Sequence, residues 1–168
     1  GIVATGQNMS GSGIDVIDIA AAGLELGAGS ELSVTGTGDA MNIAIAAPVT
    51  VGGGSTVSAD NGSVTIDGAV ADSAGSAAGT LAIDGQDGVT LTGDVDLTSG
   101  AGQQSVDIDA AGGDVSVQNI TTETALTLDS GGVLDAGDLT TTASVPAAVI
   151  AVTGQGDTTV GDVSAQSS

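Results

Sequence analysis

Apolar and polar residues alternate in short runs along most of this chain. Leu24-Glu25-Leu26, Met41-Asn42-Ile43-Ala44-Ile45, Val64-Thr65-Ile66, Val89-Thr90-Leu91, Val95-Asp96-Leu97 and Val115-Ser116-Val117 each send every second side chain to one side. A period of two marks a strand with one buried face. Val and Ile outnumber Leu in these runs, and β-branched side chains pack well on a pleated surface while resisting helix. Pro48 and Pro146 each precede an apolar run, where the start of a strand tolerates a missing donor.

A longer pattern overlies the alternation. An aliphatic residue, any residue, a small or aliphatic residue, Asp or Thr, then a small or turn residue recurs as Ile2-Val3-Ala4-Thr5-Gly6, Leu32-Ser33-Val34-Thr35-Gly36, Val57-Ser58-Ala59-Asp60-Asn61, Leu81-Ala82-Ile83-Asp84-Gly85, Val106-Asp107-Ile108-Asp109-Ala110, Leu126-Thr127-Leu128-Asp129-Ser130 and Ile150-Ala151-Val152-Thr153-Gly154. The steps between phrases run from 20 to 30 residues and cluster at 24 and 25, the period of a solenoid. A second landmark follows each phrase at a nearly fixed offset, at Val16, Ile45, Val70, Val95, Ile120, Leu139 and Val163. Four of these follow Gly plus Ala or Asp, as in Gly93-Asp94-Val95.

The clearest coil holds three alternating pairs in order: Leu81/Ile83, Val89/Leu91 and Val95/Leu97. Three short strands in each coil predict an all-β fold. The specific expectation is a single-domain right-handed parallel β-helix over residues 1–168, a solenoid of about seven coils of roughly 24 residues. Stacked at about 4.8 Å, the inward Val, Ile and Leu form aliphatic ladders. On this alignment coil one carries Ile17 to Leu26 as extra material, and coil five is short by about five residues; both changes belong in rim loops. A β-sandwich of the adhesin immunoglobulin-like kind also reads as short strands and Gly-rich turns, but it demands no repeat held in phase over seven turns.

Composition sharpens this picture. The chain has 168 residues and no Lys, Arg, His, Cys, Phe, Trp or Tyr. Without aromatics to supply bulk, the fold has to bury many small aliphatic side chains, as stacked coils do. Low aromatic content and high charge favour disorder, yet 40% of the residues are hydrophobic and they are patterned. Twenty-one acidic residues and no basic ones give a net charge of −21, so no ion pair between side chains can form. Nucleic acid and anionic membrane surfaces are excluded as partners. No apolar run reaches the length of a membrane span. The start at Gly1, without Met or a signal peptide, suggests a processed or excised piece of a longer secreted protein.

These phrases and the Gly, Ala, Ser, Thr, Val and Asp-rich composition resemble the repetitive β-helical shafts of large bacterial secreted surface proteins, the filamentous haemagglutinin-like adhesins and autotransporter-type passenger domains. The likeness covers essentially the whole chain and rests on repeat pattern and composition. It implies a secreted protein at the cell surface, acting in adhesion, biofilm or matrix structure. Such shafts usually contain some Lys, Arg and aromatics, so this chain departs from them and points toward an unusual filament-forming or salt-adapted matrix protein.

Catalysis by a Ser/His/Asp or Cys/His device needs a base that the chain lacks. A glycosidase pair of carboxylates would lack aromatic platforms for sugar, so no enzyme is expected. The sharper candidate is Ca2+. On the phrase alignment Asp60, Asp84, Asp109 and Asp129 share one position of four consecutive coils, and stacked carboxylates call for solvation, a raised pKa or a divalent cation. The nonapeptide of calcium-binding β-rolls and the EF-hand loop are both missing. Asn8, Asn61 and Asn119 head glycan acceptor triplets. A flat Thr array of the ice-binding kind is interrupted, since Thr65 and Thr90 lead to Ser116.

The expected role is therefore structural: a stiff secreted segment of a fibre, adhesin shaft or surface matrix. It would associate end to end with itself or with neighbouring segments of the same parent chain, through strand edges left uncapped. A calcium- or glycan-binding adhesin module, on a β-helix or a sandwich, is the alternative.

Overall fold

The structure is a computed structural model and describes residues 3–4, 15–35, 40–142 and 148–166. Every regular element among the described residues is a strand. The strands fall into three seven-stranded sheets, each built from every third strand in chain order.

The first face contains Val3–Ala4, Glu31–Val34, Thr56–Ala59, Gly79–Gly85, Gln104–Ala110, Ala125–Ser130 and Val149–Gly154. The second contains Asp15–Ala20, Met41–Ala46, Ser63–Ile66, Gly88–Leu91, Asp114–Val117, Leu134–Ala136 and Thr158–Val160. The third contains Leu24–Leu26, Val49–Val51, Val70–Asp72, Val95–Leu97, Ile120–Thr122, Leu139–Thr141 and Val163–Ala165. Each turn of chain contributes one strand to every face, so the molecule is a parallel β-helix of seven rungs. All the pairings are parallel, which rules out the sandwich, an antiparallel fold.

Alternation along each strand becomes a column across rungs. On the first face Val57, Ile83, Ile108, Leu128 and Val152 are in register. On the second, Val64, Val89, Val115 and Leu134 stack in the same way, and on the third Val70, Val95, Ile120 and Leu139 do so. Apart from half-buried Val152, these side chains are buried. Each contributes about 1.5–3 kcal/mol over an exposed one, and together they replace the bulk that aromatics give other cores.

The register departs from the phrase alignment at three places. Val57 pairs with Ile83 rather than Leu81, a slip of two residues between rungs three and four. A slip of two keeps the same side chains inward, so hydrophobic alternation cannot detect it. Ser55, just ahead of the Thr56 that pairs with Ala82, is fully buried, and its hydroxyl lies 3.0 Å from Gly52 O, to which it donates. Val16 and Ile45 lie on the second face, paired with Asn42 and with Ile19 and Ile66. Their places on the third face belong to Leu24 and Val49.

Ile17 to Leu26 is not an insertion either, because it supplies core strands of the first rung. The extra residues of that rung fall between Ala4 and Asp15, outside the described residues. The shortening in rung five falls, as expected, at a corner: only Glu123 and Thr124 separate Thr122 from Ala125, where rung four uses residues 98–103. At the corner after the third face, Gly29 and Gly54 adopt φ of +67° and +76°, a left-handed backbone open to glycine at no steric cost. Pro48 precedes Val49–Val51 as expected, and its carbonyl accepts the Leu24 N–H at 2.9 Å. Pro146 lies outside the described residues.

Candidate functional site

The acidic column stands on the outer surface of the first face. Asp84, Asp109 and Asp129 are in register on three consecutive rungs, with all three side chains exposed. Ser33 and Ser58 continue the column on one side and Thr153 on the other. Asp60 is not a member, because Ser58 takes its place beside Asp84. The two-residue slip carries Asp60 to the following corner, where its N–H donates to Val34 O at 3.2 Å. The expected run of four carboxylates is therefore a run of three between hydroxyl residues.

The pleat turns Asp84, Asp109 and Asp129 outward because their neighbours Ile83, Ile108 and Leu128 point in. Thr56, Ser58, Ala82, Ile83, Asp84, Asp107 and Asp109 line a shallow, open depression there. Partial desolvation, then the charges of Asp109, Asp60 and Asp107, raise the Asp84 pKa above the ordinary carboxylate value. Desolvation, then Asp129 and Asp107, raise that of Asp109. Single-file carboxylates about 4.8 Å apart offer a cation little of the six to eight oxygens that Ca2+ takes. Among the described residues no three acidic side chains converge into a metal-holding group.

The glycan candidates occupy different settings. Asn61 is half-buried at the corner before Ser63–Ile66, and its carbonyl accepts the Met41 N–H at 3.1 Å. Asn119 is exposed, with its side-chain amide held between two rungs: Nδ2 donates to Asp94 at 3.1 Å and Oδ1 accepts the Asp138 N–H at 2.9 Å. Asn8 lies outside the described residues.

Two arrangements had no counterpart in the sequence reading. Asn119 is one link of a ladder at the corner before the third face. Asp94 accepts the Asn119 N–H at 3.3 Å, and Asp138 accepts the Asp162 N–H at 2.9 Å. Each side chain thus receives a backbone donor from the following rung. The repeated Gly-Asp pairs carried that signal, but only the register reveals what the side chains reach.

The second is Asp72, which is only 5% exposed. It occupies an inward column between Val51 and Leu97, and its carboxylate accepts the Ser99 N–H at 3.0 Å and the Gly100 N–H. Alternation in Val70-Ala71-Asp72 already put it in the inward phase. Nearby, Gln104 Nε2 donates to Ser76 Oγ at 3.1 Å, and Gln104 O accepts the Thr122 and Thr124 hydroxyls at 2.7 and 2.9 Å. The short corner of rung five is closed by these bonds.

Comparison with protein-family models, with curated proteins and with solved structures gives no match to this chain.

Proposed function

We propose that this protein is a structural element, a stiff β-solenoid segment of an extracellular fibre, adhesin shaft or surface matrix. The observation carrying this reading is the unbroken register of three parallel sheets through seven rungs. Each rung is tied to the next by three sets of backbone hydrogen bonds and by aliphatic columns. Bending would break several of them at once, so such an object transmits force along its axis.

The composition supports a place outside the cell. A chain without Lys or Arg offers no cleavage site to proteases that need a basic residue. A net charge of −21 keeps its surface hydrated where salt screens self-repulsion. The outward columns of Asp, Thr and Ser present chemistry suited to solvation. With no His, Cys or Lys available as base or nucleophile, the solenoid acts as scaffold rather than catalyst.

Immunogold electron microscopy of the source cells, with antibodies raised against the purified chain, tests this reading. Gold along external fibres or matrix is the expected result. Labelling confined to the cell interior would overturn it.

A further inference from the structure

Asn119 sits at the corner between Asp114–Val117 and Ile120–Thr122, the second and third strands of rung five. Its side chain is exposed, and it begins Asn119-Ile120-Thr121, a triplet of the kind that accepts a glycan on the amide nitrogen. The pleat fixes how the triplet is presented. Ile120 is fully buried, so Asn119 and Thr121 on either side of it face outward together. The Thr121 hydroxyl makes no hydrogen bond to any described residue.

An asparagine amide nitrogen carries two hydrogens. Asp94 takes one from Asn119, at 3.1 Å, and no described residue takes the other. The amide oxygen accepts the Asp138 N–H at 2.9 Å. Replacing the second hydrogen by the anomeric carbon of a sugar leaves one N–H and the carbonyl, so both ladder bonds survive. The next rung also leaves space. A Cβ on Gly137 would come within 2.6 Å of Asn119 Oδ1, so a side chain at that position would close on the amide, and glycine keeps it open.

The triplet at Asn61 is built differently. Asn61 is half-buried, and the Ser63 hydroxyl and N–H are both committed to Asn42 Oδ1, at 2.9 and 2.8 Å. Between them Gly62 packs so closely on the rung before that a Cβ there would collide with Met41 O. That corner is closed where the Asn119 corner is open. Asn8 lies outside the described residues.

We propose that Asn119 Nδ2 is a glycan attachment site, loaded by transfer of a sugar from a phosphate-activated donor. The bond from the anomeric carbon to the phosphate oxygen breaks, and its electron pair leaves with the phosphate. The bond from Nδ2 to the anomeric carbon forms, and the displaced proton passes to a base of the transferring enzyme. Nothing is oxidised or reduced. The sugar stands on the corner between the second and third faces and adds neutral hydroxyls to a surface whose side-chain charges are all negative. This assignment goes beyond the rod reading and does not depend on it.

Mass spectrometry of the protein isolated from its source cells provides the test. A protease cutting after Asp and Glu separates the triplets, with Asn119 in peptide 115–123 and Asn61 in peptide 61–67. The expected result is a peptide 115–123 heavier by whole sugar residues, which an amidase specific for N-linked sugar removes, leaving an aspartate in place of Asn119. Thr121→Val, made in the same cells, takes away the triplet's hydroxyl but neither ladder bond; it is expected to lose the sugar and keep the wild-type circular dichroism. An unmodified peptide 115–123 overturns the proposal. Sugar confined to Asn8, Asn61 or a hydroxyl overturns it too, as does sugar kept in full by Thr121→Val. External gold labelling of a protein whose Asn119 is bare would refute the attachment site and leave the rod reading intact. A modified Asn119 on a protein found only inside the cell would do the reverse.

Discussion

Asp84 and Asp109 occupy the same outward position on adjacent rungs, and the pKa of both is raised, by partial desolvation and then by neighbouring carboxylates, Asp109, Asp60 and Asp107 for Asp84 and Asp129 and Asp107 for Asp109. The folded chain therefore holds these protons more readily than the unfolded one. Its stability rises as pH falls from neutral through the raised values toward the ordinary 3.8. Thermal melts from pH 7 to pH 4 are expected to show an increasing melting temperature. Asp84→Asn relieves the repulsion at neutral pH and stabilises by about a few tenths of a kcal/mol, as suits a surface charge. It also flattens the pH dependence.

Thr141 poses the opposite problem. Its Oγ1 is buried without a hydrogen-bond partner among the described residues, on the third face in register with Thr122 and Ala165. An unsatisfied buried hydroxyl costs about 1–3 kcal/mol, and valine has nearly the same shape without that demand. Thr141→Val is expected to stabilise by about 1 kcal/mol, read as a higher denaturant midpoint with an unchanged slope.

Asp72 separates hydrogen bonding from hydrophobic fit. Leucine would match its column neighbours Val51 and Leu97 but would strip the Ser99 and Gly100 N–H groups of their acceptor. Asp72→Leu is expected to destabilise by about 1–3 kcal/mol. Asp72→Asn, which keeps one carbonyl acceptor, costs less. Urea titration of the two variants gives the order, and a more stable leucine variant would assign the site to packing.

Salt acts on the whole acidic surface. Raising NaCl from 0.01 M to 0.15 M shortens the Debye length to about 8 Å and is expected to raise the melting temperature. With carboxylates in single file, CaCl2 at equal ionic strength gives the same rise. A larger rise, reversed by chelator, would place a cation on Asp84, Asp109 and Asp129.

The strands of rung four were legible because one face of each is buried, so Leu81/Ile83, Val89/Leu91 and Val95/Leu97 stand out at period two. Register was less legible. Moving Val57 from Leu81 to Ile83 leaves every apolar side chain inward, and so it removed Asp60 from the acidic column without any trace in the pattern. Corner lengths hid the exchange of Val16 and Ile45 for Leu24 and Val49 in the same way. The ladder through Asp94, Asn119 and Asp138 depends on which N–H lies above each side chain, and that is fixed only once the rungs are stacked. Asp72 could have been found, because alternation set it inward; its acceptor role needed the neighbouring corner.

The most direct test of the stacked rungs is an electron-spin distance between labels at Glu31→Cys and Ala151→Cys, two exposed positions of one outward column on rungs two and seven. Five steps of about 4.8 Å predict a narrow distribution near 24 Å between backbones. A broad distribution, or a distance well beyond that value, would contradict the in-register solenoid and the mechanical role built on it.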